Sequence, residues 1–132
     1  MKTLDATAKG VYLITVTPFT DSGALDLPST DRMVDFCLEA GVTGLTVLGI
    51  MGEATKLTAE ESRTYVKQVL ARVAGRVPVV VGASAAGFSP MKELTQSVMD
   101  LIVCFDCGWW RHHPQSKQTI KSLATLIWSV KP

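Results

Sequence analysis

The sequence predicts an α/β protein built on a parallel sheet, and three observations predict it. Apolar, β-branched runs begin near residues 11, 45 and 77, a helical apolar pattern follows each, and turn residues separate them. A strand–helix repeat of roughly 33 residues implies right-handed βαβ units. Strands this apolar need cover on both faces, which either a closed barrel or a doubly wound sheet supplies, and the pattern alone leaves both open. Three units are few for either fold, because a complete eight-unit barrel takes about 250 residues.

The elements follow in order. Val11 to Thr17 (VYLITVT) reads as a strand buried on both faces, broken by Pro18. Pro28 suits a first helical turn, and Met33, Phe36, Cys37 and Ala40 repeat with helical spacing before Gly41 closes the helix. Leu45 to Leu48 is the second strand. Thr58-Ala59-Glu60-Glu61 has the form of a capping box, opening a helix with Val66, Val69, Leu70 and Val73 as its inner stripe and Gly75 at its end. Val77 to Val81 is the third strand, with Pro78 tolerable because it lies at the strand's start. Ser89-Pro90 caps and starts a third helix whose apolar face is Met91, Leu94, Val98 and Leu101.

Composition narrows the function classes. The chain has 132 residues, a net charge of +1, 47% hydrophobic residues and 19% charged residues, which suits one globular domain. So balanced a charge gives no reason to expect nucleic acid or an anionic membrane as partner. The leading MKTLDATAKG lacks the apolar segment of a signal peptide, and no apolar run approaches a bilayer span. Three cysteines, an odd number, then point to reduced thiols and a cytoplasmic location.

The candidate site is the loop after the second strand, Gly49-Ile50-Met51-Gly52-Glu53. In parallel αβ sheets, ligands collect at the carboxyl ends of strands. Glycines there let main-chain N–H groups approach a carboxylate or phosphate closely. Glu53 is either a base or an anchor that holds the loop through backbone hydrogen bonds. The plainer alternative is a tight turn, with glycines serving its φ angles and a solvated glutamate.

From Gly10 to about Asp100 the sequence resembles the dihydrodipicolinate synthase/N-acetylneuraminate lyase family. The matching pieces are VTPF, FCLEAGVTGLTVLG, the GxxGE loop, KLTAEE and VPVVVGAS. The resemblance implies a (β/α)8 TIM barrel, usually assembled as a homotetramer, and lyase chemistry through a lysine Schiff base with pyruvate or another 2-keto acid. No cofactor and no metal are implied. It makes Gly49, Ile50, Met51, Gly52 and Glu53 the cradle of the keto acid's carboxylate, with Thr17 and Ser84 near the same strand-end face. In the family two hydroxyl residues commonly stand between the glycines, where this sequence has Ile50 and Met51. That departure favours a related keto-acid aldolase or dehydratase over dihydrodipicolinate synthesis itself. The family's Schiff-base lysine, at the end of strand six, and its assisting tyrosine, on strand five, are expected beyond Pro132. The catalytic set is therefore expected to be missing from this chain.

Residues 101–132 read differently from residues 1–100. All three tryptophans (Trp109, Trp110, Trp128), both histidines (His112, His113) and two cysteines (Cys104, Cys107) fall there. A zinc reading has suitable ligand types, but adjacent histidines lack the spacing that turns two imidazoles toward one ion, and Cys104 sits in an apolar, strand-like LIVCF run. Tryptophans beside an arginine are weak support for base stacking. A shifted reading frame explains more. Read from the third codon base, GWWRHH from Gly108 back-translates to V-V-A-P-P, and the segment from Ser116 to QTDDQIISYFDMVSE. Both strings look like the family's fourth strand and the loop and helix after it.

The expectation is thus a partial TIM-barrel domain over 1–100 and an aberrant, possibly frameshifted tail over 101–132. Such a piece would be inactive alone and, with open sheet edges, prone to aggregate. Ile120, Leu123, Ile127 and Val130 fall at helical spacing, so the tail could coil onto exposed apolar surface. Two rivals predict other behaviour. A small α/β binding module would be a monodisperse monomer, and a metal or redox protein would use Cys104 and Cys107.

Overall fold

The computed structural model describes residues 8–84 and 87–105, with side chains described through residue 98. Its elements are β1 (Tyr12–Ile14), α1 (Leu27–Glu39), β2 (Gly44–Val47), a 3-10 turn (Ala54–Lys56), α2 (Ala59–Val73), β3 (Val79–Val81) and α3 (Phe88–Phe105). The strands form one parallel sheet in the order β1-β2-β3. Right-handed crossovers between sequential neighbours put every helix on one face. Accordingly α1 packs on α2 and α2 on α3. Sequential strand order with every helix on one face suits a barrel wall.

Register divides the strands into two faces. Leu13, Leu45 and Val79 are partners in the ladder, as are Ile14, Thr46 and Val80. Leu45, Val47 and Val79 meet the helices, where Val34 and Cys37 of α1, Val66, Val69, Leu70 and Val73 of α2, and Leu94 and Val98 of α3 bury against them. The other face lacks such cover. Ile14 is 49% and Val16 46% exposed. The expected burial of the first strand on both faces therefore fails, and Leu13, in register with Leu45 on the helix side, is 39% exposed as well, because β1 is an edge strand among the described residues.

Local chemistry explains the helix ends. Asp26 caps α1 by accepting from the Ser29 N–H at 2.9 Å, with Pro28 in the first turn as expected. The inner stripe of α1 is Thr30, Val34 and Cys37, however, and Phe36 is 69% exposed. Thr30 can be buried because its hydroxyl donates to the Asp26 carbonyl at 2.9 Å. The capping box of α2 forms, with the Glu61 carboxylate accepting from the Thr58 N–H at 2.8 Å and Thr58 Oγ1 accepting from the Glu61 N–H at 3.2 Å. Asp31–Gln68 and Asp35–Arg72 contacts link α1 to α2. Pro78 joins the sheet through its carbonyl alone, accepting from the Leu45 N–H at 3.0 Å.

The strand-like expectation for LIVCF is corrected: Leu101 to Phe105 continue α3 as helix. An apolar run of five has no period of its own, and a helix already propagating from Phe88 decides its conformation. Cys107, Trp109, Trp110, His112, His113 and the segment read in a shifted frame lie outside the described residues.

Candidate functional site

The loop Gly49–Glu53 leaves the carboxyl end of β2 through Leu48, whose φ of +54° turns the chain sharply. Such a conformation is uncommon for a residue with a branched side chain, and burial holds it there. Two overlapping turns follow, with the Gly52 N–H donating to Gly49 O at 3.0 Å and the Glu53 N–H to Ile50 O at 3.1 Å. Among the described residues, the N–H groups of Gly49, Ile50 and Met51 donate to nothing. Three consecutive main-chain donors are thus left over at a strand end, the backbone feature that anion-binding concavities share. Ile50 is 99% exposed and Met51 58%, so neither side chain contributes to the core.

Glycines here serve backbone-on-backbone packing. A Cβ on Gly52 would lie 3.1 Å from Leu48 backbone atoms, a tight approach that glycine relieves where the loop folds back on its own base. At the end of β3, a Cβ on Gly82 would come within 2.3 Å of the Leu48 carbonyl oxygen. Gly82 also donates its N–H to Val47 O at 2.9 Å, so β3 braces the root of the loop.

Thr17 lies beneath the loop. Its buried hydroxyl donates to Gly52 O at 2.7 Å, fixing the loop to the chain just past β1. Glu53 also has a positive φ, and its carboxylate pairs with Lys56 Nζ at 2.9 Å on the surface. Its side chain makes no cap to the 3-10 turn, so the loop is held by the Glu53 main chain and by Thr17. Ser84 is exposed, three residues past β3 and at the same end of the sheet.

Tyr65 was absent from the candidates drawn from sequence. It belongs to α2, is wholly buried, and donates its hydroxyl to Val16 O at 2.8 Å. Burial pushes the phenol's pKa up, so the group stays a donor well past neutral pH. Its signal in the sequence was a tyrosine on the inner face of an otherwise aliphatic stripe, where a buried hydroxyl must find a partner. No group of three or more potential metal-ligating side chains occurs among the described residues. No helix among them is long and apolar enough to cross a membrane.

The profile of the Dihydrodipicolinate synthetase family matches residues 7–102. The chain belongs to that family. The 4-hydroxy-tetrahydrodipicolinate synthase of Laribacter hongkongensis is 37% identical over 87 residues, covering 66% of this chain and 30% of the relative. The L-2-keto-3-deoxyarabonate dehydratase of Azospirillum brasilense is 41% identical over 76 residues, 58% of this chain and 25% of the relative. Among solved structures, the family member YagE of Escherichia coli K12, a prophage protein in complex with pyruvate, superposes with a TM-score of 0.69 at 34% identity. That match covers 73% of this chain and 32% of the other. The chain therefore spans about a third or less of the family members it matches, and it corresponds to part of their barrel.

Proposed function

We propose that this chain carries the carboxylate-holding segment of a lyase acting on pyruvate or a related 2-keto acid. The observation that carries this reading is the run of unpaired N–H groups at Gly49, Ile50 and Met51, located at the carboxyl end of β2. Main-chain donors suffice to hold a carboxylate without the hydroxyl side chains common in the family. Gly52 and Glu53 close the loop, Thr17 anchors it from below, and Ser84 stands at the same rim. The pyruvate bound by YagE supports a ligand of that size and charge. Apolar side chains at positions 50 and 51 support a keto-acid aldolase or dehydratase, and the likeness to a keto-deoxy-acid dehydratase agrees.

Among the described residues no lysine is set up for Schiff-base turnover. An imine-forming lysine is activated by removal from water or by a neighbouring cation. The described lysines Lys9, Lys56, Lys67 and Lys92 are all exposed, and Lys56 is paired with Glu53. The reactive amine of the family's chemistry comes from barrel units beyond these three. The buried, unpaired Cys37 suits a reducing, cytoplasmic setting. Residues 101–132 stand outside this function as the product of a shifted frame, and homotetramer formation is left to the complete barrel.

Borohydride reduction in the presence of pyruvate tests the reading. The expected mass of the chain is unchanged, and a stable pyruvyl adduct on any lysine overturns the proposal. Sequencing the DNA from about codon 95 onward tests the frame shift; an uninterrupted frame shared with related genes overturns it.

A further inference from the structure

Between α2 and the carboxylate loop runs a line of hydrogen bonds that the family chemistry does not call for. We infer that Tyr65 is a positioning residue for the Gly49–Glu53 loop, acting through the end of β1; as a statement about the carboxylate site, this rests on the function proposed above.

Pro18 creates the opening for it. The ladder of β1 ends at Ile14, with the Thr15 N–H still reaching Thr46 O at 2.9 Å. Beyond that point the proline offers no N–H, and Val16 and Thr17 leave the sheet with their polar groups unpaired by any strand. One side-chain bond satisfies the first of these carbonyls, and a second ties the neighbouring residue to the loop. Tyr65 reaches across from α2 and donates to Val16 O at 2.8 Å. The next residue, Thr17, donates its hydroxyl to Gly52 O at 2.7 Å. One rigid helix thus fixes the β1 end, and the β1 end fixes the loop. Thr15 Oγ1 lies 3.4 Å from the Tyr65 hydroxyl and reinforces the same junction.

The arrangement is costly to break at any link. The Thr17 bond to Gly52 O is buried, so removing that hydroxyl leaves a carbonyl unsatisfied away from water, and Tyr65 holds the half-exposed Val16 from a fully buried side chain. Gly52 is the residue whose N–H closes the first turn of the loop. Pulling on its carbonyl therefore sets how the three free N–H groups ahead of it are presented. The roles divide cleanly: Gly49, Ile50 and Met51 meet the ligand, whereas Thr17 and Tyr65 do not touch it.

The test uses the full chain, labelled with nitrogen-15, and amide hydrogen exchange. Gly52 and Glu53 report on the loop, and Val69 and Leu70 report on the core of α2. Tyr65→Phe keeps the ring and deletes the hydroxyl; Thr17→Val deletes the second link independently; Thr17→Ser keeps it. The expected result is exchange at Gly52 and Glu53 at least tenfold faster in Tyr65→Phe and Thr17→Val. Core rates stay unchanged, and Thr17→Ser returns the loop to the parent rate. Unchanged loop rates in both deletions overturn the inference, and so does an equal rise in core rates, which marks a structural role only. A parallel titration of the parent chain with pyruvate, read at the amides of Gly49, Ile50 and Met51, separates the two claims. Silence there overturns the carboxylate reading, while the exchange rates alone decide the positioning role.

Discussion

The two faces of the sheet differ although the same strands supply both. On the helix side, Leu45, Val47 and Val79 meet side chains from α1, α2 and α3, and the cluster is closed to solvent. On the other side Ile14 and Val16 stand half exposed, and Ile50 and Met51 are exposed in the loop at the carboxyl rim. Burial on the first side depends on residues within one βα unit of each strand. On the second side it depends on strands that a barrel brings from across its axis. The contrast teaches that neighbouring helices cover the outer side of β2 and β3, whereas the inner side depends on strands from elsewhere in a barrel. Stability and exposure to aggregation therefore reside on different faces of one strand.

Substitutions can break or sharpen that contrast. Leu45→Ala opens a cavity on the covered side and is expected to destabilise the fold by about 2–5 kcal/mol. Ile14→Ala, on the open side, is expected to cost well under half of that while reducing light scattering at high concentration. Urea denaturation of both variants compares the faces directly, and equal losses would mean the open face is covered in solution. Gly82→Ala lies at the rim where the faces meet. A Cβ there collides with the Leu48 carbonyl, a backbone atom that cannot swing aside, so about 1–3 kcal/mol is expected from the same measurement.

The smallest expected effects belong to the solvent side of the helix layer. Thr58→Ala removes the α2 cap and should cost about 1 kcal/mol. The capping hydrogen bonds from Thr58 lower the Glu61 pKa below its ordinary 4.5, and the Ser29 and Arg72 hydrogen bonds lower Asp26 and Asp35 below 3.8. The unfolded chain therefore binds protons first as the solution is acidified. Stability from these groups is fully present above the ordinary carboxylate values and is lost as pH falls through the lowered ones. A Thr58→Ala variant should show a shallower acid loss than the parent in denaturation midpoints followed from pH 6 down to pH 3.

Most of the architecture was legible because each unit signals its own borders. Pro28 and the Thr58–Glu61 box mark helix starts by chemistry confined to one turn, and both appear where expected; α3 instead begins at Phe88, so Ser89 and Pro90 lie inside its first turn and Ser89 is not its cap. The inward direction of α1 was less legible. Apolar spacing selected Phe36, yet Thr30 takes a buried place because the Asp26 carbonyl one turn earlier accepts from its hydroxyl. The exposure of β1 could not be read from VYLITVT, since cover depends on partners remote in sequence. At the site, the glycine loop and Thr17 were visible as motifs. The left-handed Leu48 and the reach of Tyr65 were not, because both arise from contacts between units.

The registers pairing Tyr12 with Gly44 and Leu45 with Val79 have a kinetic consequence. Each parallel ladder closes a single βα excursion of similar length, so the entropic cost of loop closure is nearly the same at every step and never accumulates. A nascent chain leaving the ribosome can dock β2 on β1 before β3 has been synthesised, and β3 on that pair soon afterwards. Growth of this wall is a series of equal local events, and only the final seam of a full circle demands a long-range meeting of chain ends.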